Sequence, residues 1–555
     1  MYSQIESINI LTSLLLAHGI RDAVVCPGSH NAPIVHNLNE CGMQCVAVTD
    51  ERSAGFCAMG MALQTERAVV VCVTSGSALL GLLPAVAEAH YQHIPMVVVS
   101  ADRPQAWIGQ LDGQTMPQPG ALAPFSRCNV SLPEVNDDRS RWHCNRLVNE
   151  ALLEVCHHGK GPVHINVPLS EPLHVFNVLQ LSSERVIRRM EAMEASGCPN
   201  TILPLMETLA SSQKPMLVVG QCGPSDLRLS PELVQAWKRH CVVLKECLGP
   251  DVLGRTVFEP ILADTDSAMM PDMVVYVGGT VVSKQLKRML RQLPETPTWV
   301  VNSNGCVTDV TMHTTAVVEA DAEKVLQWAV SYLPDADSDY LSYWHHRLHT
   351  AALMTDSMPL PWSQATVVRA LEQAIGHKDA HIAYANSSAV RLGNLFANGH
   401  RRCNRGLNGI EGSLSTTVGM ALADSSKPTY CVIGDLSFFY DQNALWIQGL
   451  PRSLRILLLN NSGGGIFERF DGLRQSTARE RLVMACHRTS AYGICQSYGI
   501  CYRSATDSST LAADIQWLTS EEDNGPRLLE MVTSSAMDQQ AIILIENFIK
   551  NQINN

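Results

Sequence analysis

The chain has 555 residues, too many for one hydrophobic core, so we expect roughly three to four domains of about 100 to 200 residues each. Hydrophobic residues make up 46% of the chain and charged residues 17%, a composition that excludes large-scale disorder. The formal net charge of −12, without a basic run, argues against a nucleic-acid-binding protein.

Cysteine usage and the first residues indicate the cellular compartment. The 18 cysteines are scattered through apolar runs with no CxxC pair, a pattern typical of reduced, buried thiols. The apolar stretch at 8–17 is interrupted by polar residues and has no basic segment before it, which favours an amphipathic helix over a signal peptide. No run approaches the roughly 18 apolar residues of a membrane span. We therefore expect a cytoplasmic protein without membrane insertion.

Short β-branched runs alternate with helical stretches from the start of the chain. The predicted elements are a helix at 5–18, strands at 23–26 and 45–49, a helix at 51–64, a strand at 68–73, a helix at 77–91, and strands at 96–100 and 164–167. Alternation of this kind predicts a parallel sheet with helices on both faces. We predict that residues 1–180 form the first domain.

Two further α/β segments follow. A polar stretch at 180–203 predicts a linker, and acidic residues at 335–339 with a proline-containing segment at 358–361 bracket a second linker region. Predicted strands lie at 215–220, 273–278 and 299–302 in the second domain (200–335), and near 381–385, 429–434, 455–460 and 527–532 in the third (355–555). The fold class is α/β, with three doubly wound parallel-sheet domains. Ligands of such sheets bind beyond the carboxyl ends of the strands.

Polar residues follow two strands of the third domain. Asp435 comes directly after the strand at 429–434, and Asn461 follows the strand at 455–460 and precedes a glycine run. If the two strands are neighbours, a carboxylate and an amide oxygen meet at one edge of the sheet. Oxygen ligands of this sort suit Mg²⁺, which usually also takes phosphate oxygens and water. Either residue alone would be read as a helix cap or a loop residue.

Together the two segments resemble the thiamine diphosphate motif, which begins Gly-Asp and ends Asn-Asn; here Leu436 stands where glycine is usual. Enzymes with this motif also need a carboxyl group at the aminopyrimidine ring of the cofactor. Glu51 follows a predicted strand and opens a helix of small apolar residues. An acidic residue in a first helical turn commonly complements the helix dipole. Its pairing with the downstream motif favours the cofactor role.

Nearly the whole chain resembles one branch of these enzymes, the 2-succinyl-5-enolpyruvyl-6-hydroxy-3-cyclohexene-1-carboxylate synthases of menaquinone biosynthesis. The resemblance rests on the order and spacing of several short motifs along the chain. Its landmarks are Pro27-Gly28-Ser29, Thr49-Asp50-Glu51-Arg52, Val73-Thr74-Ser75-Gly76, Ser100-Ala101-Asp102-Arg103-Pro104, Gln114, Gln118-Pro119-Gly120, Asn386-Ser387, Arg391, Asn404-Arg405-Gly406 and Gly409-Ile410-Glu411-Gly412.

The resemblance implies decarboxylation of 2-oxoglutarate and conjugate addition of its succinyl unit to isochorismate, with thiamine diphosphate and Mg²⁺, or Mn²⁺ in its place, as cofactors. It implies that the three domains are pyrimidine-binding, central and diphosphate-binding. The cofactor would lie between the first domain of one chain and the third domain of its partner. A homodimer is then the minimum active unit, and a dimer of dimers is compatible with it.

Residue roles also come from the resemblance. Glu51 would activate the cofactor, and Asp435, Asn461 and the Gly463 carbonyl would hold Mg²⁺ and the diphosphate. Both substrates are dicarboxylates, so a cationic pocket is expected. The remaining cofactor contacts would be Asn408, Ile410, which would bend the cofactor, and Ser437; the substrate contacts would be Ser29, His30, Arg103, Gln114, Lys284, Ser387, Arg391 and Arg405.

The chain departs from the family at His30, because arginine usually follows Pro-Gly-Ser there. We expect His30 to bind a substrate carboxylate less strongly than arginine, unless nearby carboxylates raise its pKa. Alternatives are another thiamine diphosphate-dependent decarboxylase or carboligase, or a cofactor-binding homologue whose activity is reduced because of His30. A nicotinamide dehydrogenase is disfavoured, since no GxGxxG follows a predicted strand.

Overall fold

The structure is a computed structural model, which describes residues 1–189, 202–223, 226–263, 266–376, 378–522 and 525–554. The chain packs as two units. The first comprises residues 1–192, 406–429 and 437–454, and the second comprises 193–405, 430–436 and 455–555. Much of the linker predicted at 180–203 lies outside the described residues. Within the described ranges, no helix combines the length and apolarity needed to cross a membrane.

The first unit contains a six-stranded sheet with the order β3-β2-β4-β5-β7-β6, in which every ladder is parallel. Strand order reverses between β2 and β4, so the turn after β2 lies at the switch point where ligands bind in such sheets. The elements of this part are β1 (Tyr2–Ser3), α1 (Glu6–Ala17), β2 (Asp22–Val25), α2 (Ala32–Glu40), β3 (Gln44–Ala47), α3 (Glu51–Thr65), β4 (Val69–Val73), α4 (Ser77–Gly81), α5 (Leu83–Tyr91), β5 (Met96–Asp102), β6 (Asn129–Ser131), α6 (Asp138–Glu154), β7 (Pro162–Pro168) and β8 (Phe176–Val178).

Alternate residues of the central strands pack into two different cores. On β4, Val70 and Cys72 belong to the core that contains residues of α1, α2 and α6, whereas Val71 and Val73 belong to the core formed with α3 and α5. All five residues of β4 are buried. A strand that is covered on both faces has apolar side chains at nearly every position, so it forms a continuous apolar run in the sequence. This is why β4 could be predicted.

The second unit carries two more sheets. The middle part of the chain contains α7 (Leu203–Ser211), β9 (Pro215–Val219), α8 (Pro231–His240), β10 (Val242–Lys245), β11 (Met273–Val277), α9 (Lys284–Arg291), β12 (Thr298–Asn302), β13 (Thr314–Glu319), α10 (Ala322–Ala329) and α11 (Ser338–Ser357). Its sheet has the order β10-β9-β11-β12-β13, with parallel ladders. The region predicted as a second linker is largely the helix α11, which packs against the last helix of the chain.

The last part of the chain forms a sheet with the order β14-β15-β16-β18-β17, and its described ladders are parallel. Parallel sheets in all three segments confirm the predicted α/β class; the domain boundaries stay a prediction. The elements are α12 (Gln364–Ile375), β14 (His381–Tyr384), α13 (Ser388–Phe396), α14 (Ser413–Ala423), β15 (Thr429–Gly434), α15 (Asp435–Tyr440), β16 (Leu454–Asn460), α16 (Tyr492–Tyr498), β17 (Cys501–Ala505), α17 (Leu511–Thr519), β18 (Arg527–Val532) and α18 (Ser535–Asn554).

Within the first unit, α14 crosses α3 at two glycines. A Cβ atom on Gly60 would lie 2.0 Å from the carbonyl oxygen of Thr416, and a Cβ atom on Gly419 would lie 2.1 Å from that of Cys57. The two helices therefore approach each other backbone to backbone, and this crossing holds residues 413–423 against the helix that begins at Glu51.

We predict that Gly60→Ala and Gly419→Ala each destabilise the protein by about 1–3 kcal/mol or more, because the added methyl group meets backbone and the helices must separate. Urea unfolding followed by circular dichroism measures the change. The control is Gly493→Ala, a helical glycine with nothing within 4 Å of a new Cβ; it should leave stability unchanged or raise it. Equal stability of the Gly60 and Gly493 variants would contradict the close crossing.

Candidate active site

In the second unit, the carboxylate of Asp435 joins the ends of two neighbouring strands. Its Oδ1 accepts the N–H of Leu436 at 2.7 Å, and its Oδ2 accepts the N–H of Gly463, from the loop after β16, at 2.9 Å. A Cβ on Gly463 would lie 2.9 Å from the carbonyl oxygen of Met484, so only glycine fits this position. The structure thus brings together the two segments of the predicted motif.

The loop after β16, which bonds to this carboxylate through Gly463, also carries amide and backbone oxygen atoms. Asn461 donates its Nδ2–H to Asp538 at 2.8 Å, and its Oδ1 accepts no hydrogen bond from the described residues. The Gly463 carbonyl accepts the N–H of Gly465 at 2.9 Å. Among the described residues, no group of three or more His, Cys, Asp or Glu side chains could hold a metal. A cation here would rely on one carboxylate plus amide and backbone oxygens, a donor set that fits Mg²⁺.

Burial raises the pKa of Asp435 above its ordinary value, while the two N–H donors and His487 oppose that shift. The Nε2 of His487 lies 3.3 Å from Asp435 Oδ2. No spacing in the sequence points to His487, because it reaches the site from a loop far downstream of the motif. It is one of the neighbours that sequence reasoning missed.

A cavity of about 100 Å³ in the second unit adjoins Asn461 and is lined on another side by Arg391. Arg391 lies on α13 and is half-buried, and its Nε is buried without a hydrogen-bond partner among the described residues. Arg469 also lines this cavity, as do the carboxylates of Glu259 and Glu546. A guanidinium with an unused buried donor can receive an anionic ligand.

Two other predicted substrate contacts lie near the start of α13. Arg405 is buried and donates from Nη1 to the amide oxygen of Asn386 at 3.0 Å, and its Nε has no hydrogen-bond partner in the described structure. Ser387 precedes α13 with a φ of 71°, a left-handed conformation that is uncommon for serine. Strained backbone of this kind is frequent at ligand-binding sites.

The lysine predicted at the substrate site is exposed. Lys284 is the first residue of α9, whereas Lys287, about one turn later, is half-buried. Burial and the positive charges of Arg405 and Arg391 lower the pKa of Lys287. Lys287, which we did not single out from the sequence, is therefore the lysine of α9 whose charge is affected by Arg405 and Arg391.

In the first unit, Glu51 is the first residue of α3. The preceding Asp50 caps this helix, accepting the N–H groups of Arg52 and Ser53 at 2.9 and 3.2 Å. Because Asp50 provides the cap, Glu51 is not required for that purpose. A Cβ on Gly81 would lie 2.9 Å from the Cβ of Glu51, so the absence of a side chain there leaves room for Glu51.

A buried carboxylate anchors the loop that precedes α14. Glu88 accepts the N–H of Gly406 at 2.7 Å and that of Leu407 at 2.6 Å. Burial raises the pKa of Glu88, and these two donors oppose the shift. Within helix α5 this glutamate reads as an ordinary helical residue, and so its anchoring role was missed.

The anchored loop carries two predicted cofactor contacts, Asn408 and Ile410, and the third, Ser437 of α15, bonds to this loop. Asn408 has a φ of 66°, and Ile410 exposes 39% of its surface although it is apolar. The Ser437 hydroxyl donates a hydrogen bond to the Ile410 carbonyl. A Cβ on Gly412 would collide with the ring of Phe56, at 2.3 Å. The structure thus brings Ile410 and Ser437 together, and the close approach of Gly412 to Phe56 holds the loop against α3.

His30, after β2, is buried at 2% exposure, and its Nε2 lies 2.8 Å from the carbonyl oxygen of Asp102. Burial lowers the pKa of His30, and the positive charge of Arg103 lowers it further, although the Asp102 carbonyl and nearby carboxylates oppose this. The net direction is opposite to the increase that we considered from the sequence. Arg103 itself lies 3.9 Å from the carboxylate of Asp112.

Ser29 and Gln114 are both exposed. The buried residue of this region is Gln118. Its Oε1 accepts the N–H of Gly76 at 2.6 Å, and its Nε2 donates to Asn166 at 2.8 Å. Gln118 therefore fixes the start of the loop after β4 and the segment that carries Gln114, a structural role that the landmark Gln-Pro-Gly did not reveal.

Comparison with known proteins agrees with the geometry. Residues 7–121 match the family described as thiamine pyrophosphate enzyme, N-terminal TPP binding domain. The chain is 42% identical to a protein of Phocaeicola vulgatus over 100% of both chains. It is 42% identical to a protein of Bacteroides thetaiotaomicron over 98% of both chains. It is 40% identical to one of Bacteroides fragilis, covering 99% of this chain and 100% of the relative.

All three relatives carry the name 2-succinyl-5-enolpyruvyl-6-hydroxy-3-cyclohexene-1-carboxylate synthase. Identity at this level over the whole length confirms the resemblance inferred from the motifs. The chain belongs to the 2-succinyl-5-enolpyruvyl-6-hydroxy-3-cyclohexene-1-carboxylate synthase family, the thiamine diphosphate-dependent enzymes of that step in menaquinone biosynthesis.

Proposed function

We propose that this enzyme decarboxylates 2-oxoglutarate and adds the remaining succinyl unit to isochorismate, releasing CO₂. Arg391 carries the proposal for anionic substrates: its buried Nε has no hydrogen-bond partner in the described structure, and it lines the same cavity as Asn461. Arg405, with its own unused Nε, adds a second cation. Dicarboxylate substrates would supply the missing acceptors.

Thiamine diphosphate, when bound, supplies the acidic thiazolium carbon on which 2-oxo acids lose CO₂. We propose that Glu51 shares a proton with the pyrimidine ring and that Asn408, Ile410 and Ser437 line its site. Asp435, Asn461 and the Gly463 carbonyl would hold Mg²⁺, or Mn²⁺ in its place, and through the metal the diphosphate. Support comes from the bond between Asp435 and the N–H of Gly463.

The remaining substrate contacts would be Ser29, His30, Arg103, Gln114, Lys284 and Ser387. Of these, Lys284 has the weakest support because it is exposed.

We further propose a cytoplasmic homodimer or dimer of dimers, with each cofactor held between the first domain of one chain and the third domain of its partner. Light scattering of the purified protein measures the number of chains.

The direct test mixes purified protein with thiamine diphosphate, Mg²⁺ and 2-oxoglutarate, with and without isochorismate, and measures CO₂ and the adduct. We expect both products when both substrates are present. Glu51→Gln is the inactive control and should lower turnover by about 10²–10⁴-fold. Consumption of pyruvate with 2-oxoglutarate untouched would instead favour another thiamine diphosphate-dependent decarboxylase.

We predict that Arg391→Met raises the KM of at least one substrate by roughly 10- to 100-fold, because a hydrogen bond to a charged group contributes about 1.5–3 kcal/mol. Steady-state kinetics with each substrate varied in turn measures the effect. Arg288→Met, the same substitution at an exposed position of α9, is the matched control. Equal KM values for the two variants would exclude Arg391 from substrate binding.

The protonation of His30 predicts that the KM for 2-oxoglutarate depends on pH. Because its pKa is lowered, the ring is neutral at pH 7. In the neutral ring the Nε2–H donates to the Asp102 carbonyl, so the other nitrogen, Nδ1, can only accept a hydrogen bond. A substrate carboxylate therefore requires the protonated ring. We predict that the KM for 2-oxoglutarate falls as the pH is lowered from about 7.5 to 5.5 and that His30→Gln abolishes this trend. An unchanged pH profile in the variant would show that His30 does not bind substrate.

A further inference from the structure

Asp538, in the first turn of α18, lies behind the predicted metal site. Its Oδ1 accepts the backbone N–H of Gln364 at 2.8 Å. Its Oδ2 accepts the amide Nδ2–H of Asn461 at 2.8 Å and the hydroxyl of Thr533 at 3.0 Å. One carboxylate therefore links the end of β18, the start of α12 and the loop after β16.

A carboxylate partner determines which way the Asn461 amide faces. An ionised carboxylate only accepts hydrogen bonds, so the NH₂ group must point to Asp538 and the oxygen must point away from it. The preceding Asn460 shows the contrast: its Nδ2 donates to Glu530 at 2.6 Å, and its Oδ1 accepts the N–H of Ser462 at 3.0 Å. The oxygen of Asn460 is used within the turn, whereas that of Asn461 accepts nothing from the described residues.

We propose that Asp538 is a positioning residue that orients the amide of Asn461 so that its Oδ1 faces the cation. This inference rests on the proposed metal site. Without Asp538 the amide is free to rotate, and its NH₂ group would face the cation in part of the molecules. Partners of this kind commonly change metal affinity by about 10- to 100-fold when they are removed.

The test uses Mn²⁺ as the probe, because its electron paramagnetic resonance signal reports free and bound metal without any turnover. In the presence of thiamine diphosphate, Asp538→Ala should raise the Kd of Mn²⁺ at least about tenfold. Thr533→Val is the matched control, since it removes another hydrogen bond of the same carboxylate; it should change the Kd less than about twofold. Equal effects of the two variants would overturn the positioning role.

Repeating the measurement in an Asn461→Asp variant distinguishes positioning of the amide from a general loss of stability. In Asn461→Asp both outer atoms are oxygens, so orientation no longer matters; adding Asp538→Ala also removes the repulsion between the two carboxylates, so it should leave Mn²⁺ binding unchanged or strengthen it. If Asp538→Ala weakens Mn²⁺ binding as much in the Asn461→Asp variant as in the wild type, the proposal is overturned. Asp435→Asn distinguishes the two levels of inference. If Asp435→Asn weakens Mn²⁺ binding and Asp538→Ala does not, only the positioning role fails; if neither does, the metal site itself is wrong.

Discussion

One hydrogen bond, from the N–H of Gly463 to the carboxylate of Asp435, holds the diphosphate end of the proposed site together. It joins the ends of β15 and β16, which are neighbours in the sheet. Because Asp435 is 3% exposed, its negative charge must be compensated by such donors or by a cation. The position of Asn461, and with it the orientation set by Asp538, depends on where this bond places the loop.

The proposed substrate pocket contains arginines although the protein as a whole carries a negative net charge. The chain carries a net charge of −12, yet Arg391 and Arg405 each keep a buried donor without a hydrogen-bond partner in the described structure. A dicarboxylate would satisfy these donors and repay the cost of burying them. His30 differs from them because its Nε2 is already bonded to a backbone carbonyl, so the proposed contact with an anion would require the protonated ring.

Strands in the interior of each sheet could be predicted from the sequence, and edge strands mostly could not. Val69–Val73 is a continuous apolar run, whereas the edge strands Asn129–Ser131, Thr314–Glu319 and Cys501–Ala505 are only partly buried and have no such pattern. Asp435 and Asn461 were found because strand ends and a known motif mark them. Asp538 and His487 approach from distant segments, and no local pattern indicates a contact that only the tertiary fold creates.

The central claim is that Asp435 and the loop after β16 bind thiamine diphosphate through a divalent cation. Isothermal titration of thiamine diphosphate into the wild-type protein and Asp435→Asn, with Mg²⁺ and then with EDTA, tests it most directly. We predict at least about tenfold tighter binding with Mg²⁺ in the wild type and no benefit from Mg²⁺ in the variant. Wild-type affinity and an undiminished response to Mg²⁺ in Asp435→Asn would contradict the account.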